Sequence, residues 1–135
     1  MSLMALWIYA GWTFALLLGI AGLRTYLSLT RQRAPNRFAP SGDDVSPFSG
    51  RLCRAHANCY ENLPIVATLI LVAAATGNQD VTDPTALILV AARIGQSLVH
   101  LRSTTNRAVT LRFGFFVVQA GLVGYWLIAL GLRLT

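Results

Sequence analysis

The chain has 135 residues, 55% of them hydrophobic and only 12% charged, with a mean hydropathy of +0.57. Soluble domains carry about 25% charged residues, so this composition excludes an ordinary water-soluble fold and predicts a membrane protein of one domain. The net charge is +6, and because all 11 basic residues are arginines set in connections and at helix ends, we do not expect nucleic-acid binding.

Four apolar stretches follow one another along the chain, each about long enough to cross a bilayer core of ~30 Å. The first is predicted over residues 3–30, and Trp7, Tyr9 and Trp12 near its start are typical of a membrane interface. The others are predicted over 50–76, 84–102 and 107–132, with Tyr125 and Trp126 expected at the same interface. Residues 1–135 therefore predict a single all-α domain, a four-transmembrane-helix bundle.

The connections differ in charge, and this difference predicts the orientation. Prolines and a glycine break residues 31–50 into a loop, whereas residues 103–106 fit either a short connection or a continued helix. The second connection contains acidic but no basic residues. By the positive-inside rule, connections 31–50 and 103–107 lie in the cytoplasm and both termini outside a cell (inner) membrane. The arginines in and beside the first and third connections are Arg31, Arg33, Arg37, Arg51, Arg54, Arg102, Arg107 and Arg112.

The two cysteines, Cys53 and Cys59, are six residues apart. This spacing matches neither a CxxC pair nor a zinc-binding pattern. On a helix the two side chains point in different directions, so we interpret them as small packing residues. The sequence predicts no metal site.

Polar residues form a stripe on each of two predicted spans. At ~100° per residue, Arg54, Asn58 and Glu61 fall within about 60° of one another on the second span, flanked by Arg51 and Asn62. A charge near the bilayer centre costs at least ~2.5 kcal/mol, so the stripe needs partners and is predicted to lie inside the bundle. On the third span one face carries Arg93, Gln96 and His100, with Arg107 as well if the helix continues that far.

Two interpretations of these stripes stay open. Glu61 could pair with Arg93 or Arg54 in an internal network that holds two helices together. One carboxylate cannot neutralise several buried arginines, however, and the excess favours binding of an external anion. Glutathione fits this inventory, because arginines suit its carboxylates, a glutamate its ammonium group, and a further arginine its thiolate. Phospholipid headgroups or fatty acids would also satisfy the arginines.

The second-span segment resembles a family signature. The run Arg54-Ala-His-Ala-Asn58-Cys-Tyr-Glu61-Asn62-Leu-Pro64 is similar to that of the MAPEG family, the membrane-associated proteins of eicosanoid and glutathione metabolism. The resemblance continues in Ala92-Arg93-Ile94, and the four-span layout extends it over essentially the whole chain, as in a bacterial-type member.

The resemblance implies a homotrimer that binds glutathione between neighbouring subunits near the cytoplasmic face. By position, Arg54, Asn58 and Glu61 would hold the polar groups of glutathione, and Arg51 matches only loosely. An arginine near the start of the fourth span would stabilise the thiolate; Arg107 resembles it by its spacing from Arg93, and Arg112 is the alternative. The chain departs from some family enzymes at three positions, where tyrosines are replaced by Asn62, Gln96 and His100.

These observations favour a glutathione-dependent membrane enzyme of the transferase or peroxidase type. Its lipophilic electrophilic substrates would enter from the membrane lipids, and glutathione would be the co-substrate. The alternative is a non-catalytic lipid-binding or scaffold protein of the same family. A small proton-coupled multidrug exporter also has four helices and one membrane carboxylate, but the arginine asymmetry argues against the dual topology expected of it.

Overall fold

The computed structural model describes all of residues 1–135 and is all-helical, with 79% of the chain in helices. Four helices are long and one is a single turn, so the all-α prediction is confirmed. The predicted bounds of the long helices differ from the observed ones by at most three residues. The helices are α1 (Ser2–Leu29), α2 (Pro47–Ala75), α3 (Gln79–Thr82), α4 (Ala86–Arg102) and α5 (Asn106–Leu134).

Three of the long helices, α1, α2 and α5, are long and apolar enough to cross a membrane. At 1.5 Å per residue, the 17 residues of α4 span about 26 Å, somewhat less than a bilayer core. Three of the four predicted spans are thus supported, and the crossing by α4 stays a prediction. Only 17% of the apolar window of α5 is buried within the subunit, so most of its surface is left for lipid or another subunit.

The ends of the helices follow from local capping groups. Ser46 accepts a hydrogen bond from the amide of Ser49, and Pro47 occupies the first helical turn of α2, where its missing N–H costs nothing. Ser103 has extended backbone angles that end α4, and the side chain of Thr105 then caps α5 by accepting from the amide of Ala108. Residues 103–105 are therefore a connection, so the continued helix considered for this segment is excluded.

Helix α4 packs against the other three long helices. The core contains two aromatic residues that the sequence placed at the interface, Tyr9 and Trp126, both 0% exposed. Tyr9 donates to the carbonyl oxygen of Cys59 at 3.1 Å, and Trp126 Nε1 donates to Thr85 Oγ1 at 2.9 Å. These two side chains are therefore buried in the bundle and do not face the lipid, and their depth in the membrane stays a prediction.

At the end of the bundle opposite the 31–46 loop, α1 is fastened to the segment before α4. Asp83 accepts hydrogen bonds from the backbone amide and the hydroxyl of Ser2, at 2.7 and 2.6 Å. These bonds, together with the nearby terminal ammonium group, lower the pKa of Asp83 to about 2. Close by, Arg133 pairs with Asp80.

The 31–46 loop folds back on the end of α1. Arg33 forms an ion pair of 2.5 Å with Asp44, and the guanidinium groups of Arg24 and Arg33 each lie 5.5 Å from the ring centre of Phe38. The amide of Ala39 and the charge of Arg33 lower the pKa of Asp44. Arg33 is thus held within its own loop, whereas the other loop arginines stay exposed.

Gly95 sets the close approach of α4 and α5. A Cβ atom at this position would lie 2.9 Å from the ring of Phe115. We expect Gly95→Ala to displace that ring and to lower the free energy of unfolding by about 1–3 kcal/mol. Thermal unfolding in detergent measures the loss. Gly114→Ala is the matched control, because nothing lies within 4 Å of a Cβ there; equal stability of the two variants would contradict the close contact.

Candidate functional site

A pocket opens beside α5 at the end of the bundle where the first and third connections lie. Its volume is about 260 Å³, and it is open to the outside of the subunit. Asn58 comes from α2, Gln96 and His100 come one turn apart from α4, and Arg112 comes from the second turn of α5. Apolar side chains complete the wall: Val109, Phe113 and Phe116. The structure thus brings together four of the residues predicted for the site.

Arg112 is the cation of this pocket, and no carboxylate neutralises it. Its guanidinium group donates a hydrogen bond to Nδ1 of His100. Gln96 Nε2 donates to the backbone oxygen of Arg112 at 3.1 Å and ties α4 to α5 at this level. The half-buried guanidinium group has no carboxylate partner within the subunit, which leaves it available to an anionic ligand.

Arg54 and Glu61 lie on the outer surface of α2, where both are exposed. The three ion pairs of the structure involve other residues, at the ends of the bundle and in the first loop. The predicted burial of these charges inside the bundle is therefore wrong for a single subunit, and so is the proposed pairing of Glu61 with Arg93 or Arg54. Glu61 follows Pro47 by fourteen residues, which places it about 21 Å along α2.

Arg51 makes a structural contact between α2 and α4. Its Nε donates to the backbone oxygen of Leu101 at 2.9 Å, and its guanidinium group lies 6.0 Å from the ring centre of Phe48. The bond satisfies one of the carbonyl groups that the end of α4 leaves without a helical partner. Arg51 joins α2 to α4 next to the pocket but is not part of its lining.

Arg107 is exposed in the first turn of α5 and does not line the pocket. The expectation that it shares a face with Arg93, Gln96 and His100 is wrong, because α4 ends at Arg102 and the connection changes the direction of the chain. Five residues separate it from Arg112, so the two side chains leave α5 about 140° apart. Arg112, the alternative in the sequence analysis, is the arginine in the pocket.

Two further predicted residues, Asn62 and Arg93, line a second cavity farther along the helices. Its volume is about 270 Å³, and Phe116 borders both cavities. Sequence reasoning missed Gln119, which is 4% exposed and also lines this cavity. The sequence did contain a signal for this residue, because Gln119 is the only amide side chain in the uncharged run from 113 to 132.

The helices and the position of the polar residues define the class: an integral membrane protein with a polar pocket at one end of an otherwise apolar helical bundle. Comparison with protein families matches residues 2–132 to the MAPEG family. The chain therefore belongs to the MAPEG family, which includes glutathione-dependent transferases and peroxidases as well as non-catalytic members. No curated protein and no solved structure matches the chain.

Proposed function

We propose that the protein is a glutathione-dependent membrane enzyme, of the transferase or peroxidase type, acting on lipophilic electrophiles. The observation that carries the proposal is the unneutralised Arg112 in a pocket with two amide side chains, Asn58 and Gln96. A cation beside a thiol favours the thiolate, which is the nucleophilic form. The amides offer hydrogen bonds to the peptide groups of glutathione.

The outward charges of α2 support a site shared between subunits. Arg54 and Glu61 are exposed on the surface of a lone subunit, and a charge that faces lipid near the bilayer centre costs at least ~2.5 kcal/mol. A homotrimer, as the family resemblance implies, would cover this surface. In our proposal, Arg54 then binds a carboxylate of glutathione and Glu61 its ammonium group, while the thiol points to Arg112.

Titration of the detergent-purified protein with glutathione tests the proposed function. We expect a rise in thiolate ultraviolet absorbance at neutral pH that saturates with glutathione, because Arg112 stabilises the charged sulfur. S-methylglutathione is the control, since it retains the polar groups but cannot ionise. It should compete for the site and remove the signal. Binding without any thiolate signal would contradict the enzyme and favour the binding protein.

A non-catalytic lipid-binding or scaffold function is the second candidate. The second cavity favours it, because seven of its eleven lining residues are hydrophobic and it opens to the outside of the subunit. A lipid could occupy this cavity whether or not glutathione binds.

The orientation is part of the proposal, because the pocket must face the compartment that supplies glutathione. The arginine-rich first and third connections lie at the pocket end of the bundle. We therefore expect both termini outside and the connections 31–50 and 103–107 in the cytoplasm. Reporter fusions at Thr135 and within the 31–46 loop measure this directly. A cytoplasmic C-terminus would place the pocket on the opposite side and contradict the orientation.

A further inference from the structure

Gln96, in the wall of the Arg112 pocket, makes three hydrogen bonds through its side-chain amide. Its Oε1 accepts from Arg93 Nη1 at 2.8 Å and from Gln119 Nε2 at 3.3 Å. Its Nε2 donates to the backbone oxygen of Arg112 at 3.1 Å. Arg93 and Gln119 are 3% and 4% exposed and lie outside the lining of this pocket, whereas Gln96 is half-buried and lines it. Of these three side chains, only Gln96 can therefore touch a ligand that binds beside Arg112.

The chemistry of the partners allows one orientation of the Gln96 amide. A guanidinium group donates hydrogen bonds and accepts none, so the atom that faces Arg93 must be the oxygen. A backbone carbonyl group accepts hydrogen bonds and donates none, so the atom that faces the backbone oxygen of Arg112 must be the nitrogen. Gln119 is oriented in the same way, because its Nε2 also donates to the backbone oxygen of Phe115 at 2.8 Å.

This orientation leaves Gln96 with a free donor and without a free acceptor. An amide oxygen has two lone pairs, and both are used by Arg93 and Gln119. The amide nitrogen carries two N–H groups, and the backbone oxygen of Arg112 is its one partner within the subunit. Gln96 therefore offers the pocket an N–H group and no acceptor.

The charge of Arg93 strengthens this donor. The guanidinium group is buried, takes part in none of the three ion pairs, and lies 5.9 Å from the ring centre of Tyr9. Little water screens a cation in such a place, so it acts strongly on neighbouring dipoles. Its bond to the oxygen of Gln96 polarises the amide, which makes the remaining N–H a better donor to an anion.

We propose that Arg93 and Gln119 are positioning residues that hold Gln96 as a donor, and that its free N–H binds the anionic sulfur of glutathione beside Arg112. This role of Gln96 rests on the proposed function for the identity of the ligand, whereas the fixed orientation of its amide does not require glutathione. The sulfur is then held from two helices, by Gln96 of α4 and Arg112 of α5. Hydrogen bonds to an ion are stronger than those to a neutral group, so this pair of donors favours thiolate over thiol. Asn58 is left for the peptide groups.

The pH dependence of the thiolate absorbance of bound glutathione tests this role. Gln96→Met removes the donor at nearly constant size and should raise the apparent pKa of the bound thiol by about one pH unit. Gln119→Met leaves Gln96 in place but removes one of the bonds that orient it, and a rise of about 0.5 is expected. Arg93→Met should act in the same direction, and Gln119→Met decides the question if loss of the buried cation prevents folding.

Thr85→Val is the matched control for a purely structural effect. It removes a different hydrogen bond between the α4 and α5 regions, the one that Trp126 donates, at the opposite end of these helices. We expect it to lower the thermal stability in detergent without moving the apparent pKa of the bound thiol. If Gln119→Met behaves in the same way, Gln119 is a packing residue and the proposal is overturned.

A second measurement needs no glutathione. In isotope-labelled protein in detergent micelles, the NMR signals of the Gln96 side-chain amide are identified by their loss in Gln96→Met. We expect Arg112 to protect one of the two amide protons from exchange with water, while the other exchanges through the pocket. Equal exchange of both protons would overturn the proposal whatever glutathione does.

The two measurements distinguish the positioning of Gln96 from the proposed enzyme. Unequal exchange without a thiolate signal from bound glutathione would refute the enzyme and the contact with sulfur, and would leave the orientation of the amide established. A thiolate signal that titrates identically in Gln96→Met would refute the role of Gln96 and leave the enzyme intact.

Discussion

Replacing Arg112 by leucine is expected to abolish the thiolate signal of bound glutathione while weakening its binding only mildly. A free thiol has a pKa of ~8.5, and a neighbouring cation can lower it by one or more units. Each unit corresponds to ~1.4 kcal/mol of preferential stabilisation of the thiolate. Arg112 is the one charged residue in the lining of the pocket, so no other lining group can replace its effect. Thiolate absorbance and calorimetric affinity separate the two effects.

Arg107→Leu is the matched control, because it removes an arginine from the same helix outside the pocket. We expect it to leave the thiolate signal unchanged. If Arg107→Leu removes the signal and Arg112→Leu retains it, the assembled site uses the exposed first turn of α5, and our assignment of the thiol position is wrong. Arg112→Lys gives a second comparison, since it keeps the charge but not the planar donor geometry toward His100.

The helices could be predicted from the sequence because membrane spans depend on long apolar runs, which composition and length reveal. The bounds of α2 and α5 shifted by a few residues, since Ser46 and Thr105 cap the helices just outside the apolar runs. The aromatic residues were harder to place. Trp7 is 74% exposed whereas Trp126 is fully buried, and only the position of Thr85 beside the indole distinguishes them.

The candidate site could be predicted only in part. Periodicity brought Asn58, Gln96 and His100 to one region, and in the structure all three line one pocket. Periodicity could not show whether a charged stripe faces the centre of its own bundle or a neighbouring subunit, because both arrangements have the same helical period. For this reason the exposed position of Arg54 and Glu61 on the outer surface was not predicted.

The backbone conformation of a single residue decides which arginine lines the pocket. Spacing along a continued helix favoured Arg107, but Ser103 adopts extended angles and starts a new helical register after the connection. Gln119 was missed for a different reason. A single amide in an apolar run gives no periodic pattern, so its relation to Arg93 appears only when α4 and α5 are packed together.

Glu61→Gln is expected to weaken glutathione binding about 10- to 100-fold while leaving the fold of the subunit intact. The loss corresponds to a charge-assisted hydrogen bond of ~1.5–3 kcal/mol between the carboxylate and the ammonium group of glutathione. The subunit itself should be unaffected, because Glu61 is exposed and has no ion-pair partner within the chain. Calorimetry measures the affinity, and thermal unfolding in detergent measures the fold.

The oligomeric state decides between a ligand contact and a subunit contact. If Glu61 instead pairs with an arginine of a neighbouring subunit, removing its charge leaves that arginine buried without a partner, at a cost of ~3–5 kcal/mol. Native mass spectrometry of Glu61→Gln would then show loss of the trimer, with glutathione binding lost only as a consequence. Asp80→Asn is the control, because it removes a carboxylate at the opposite end of the bundle. A trimer that persists with weakened glutathione binding assigns Glu61 to the ligand, and a trimer that persists with unchanged affinity removes Glu61 from the site.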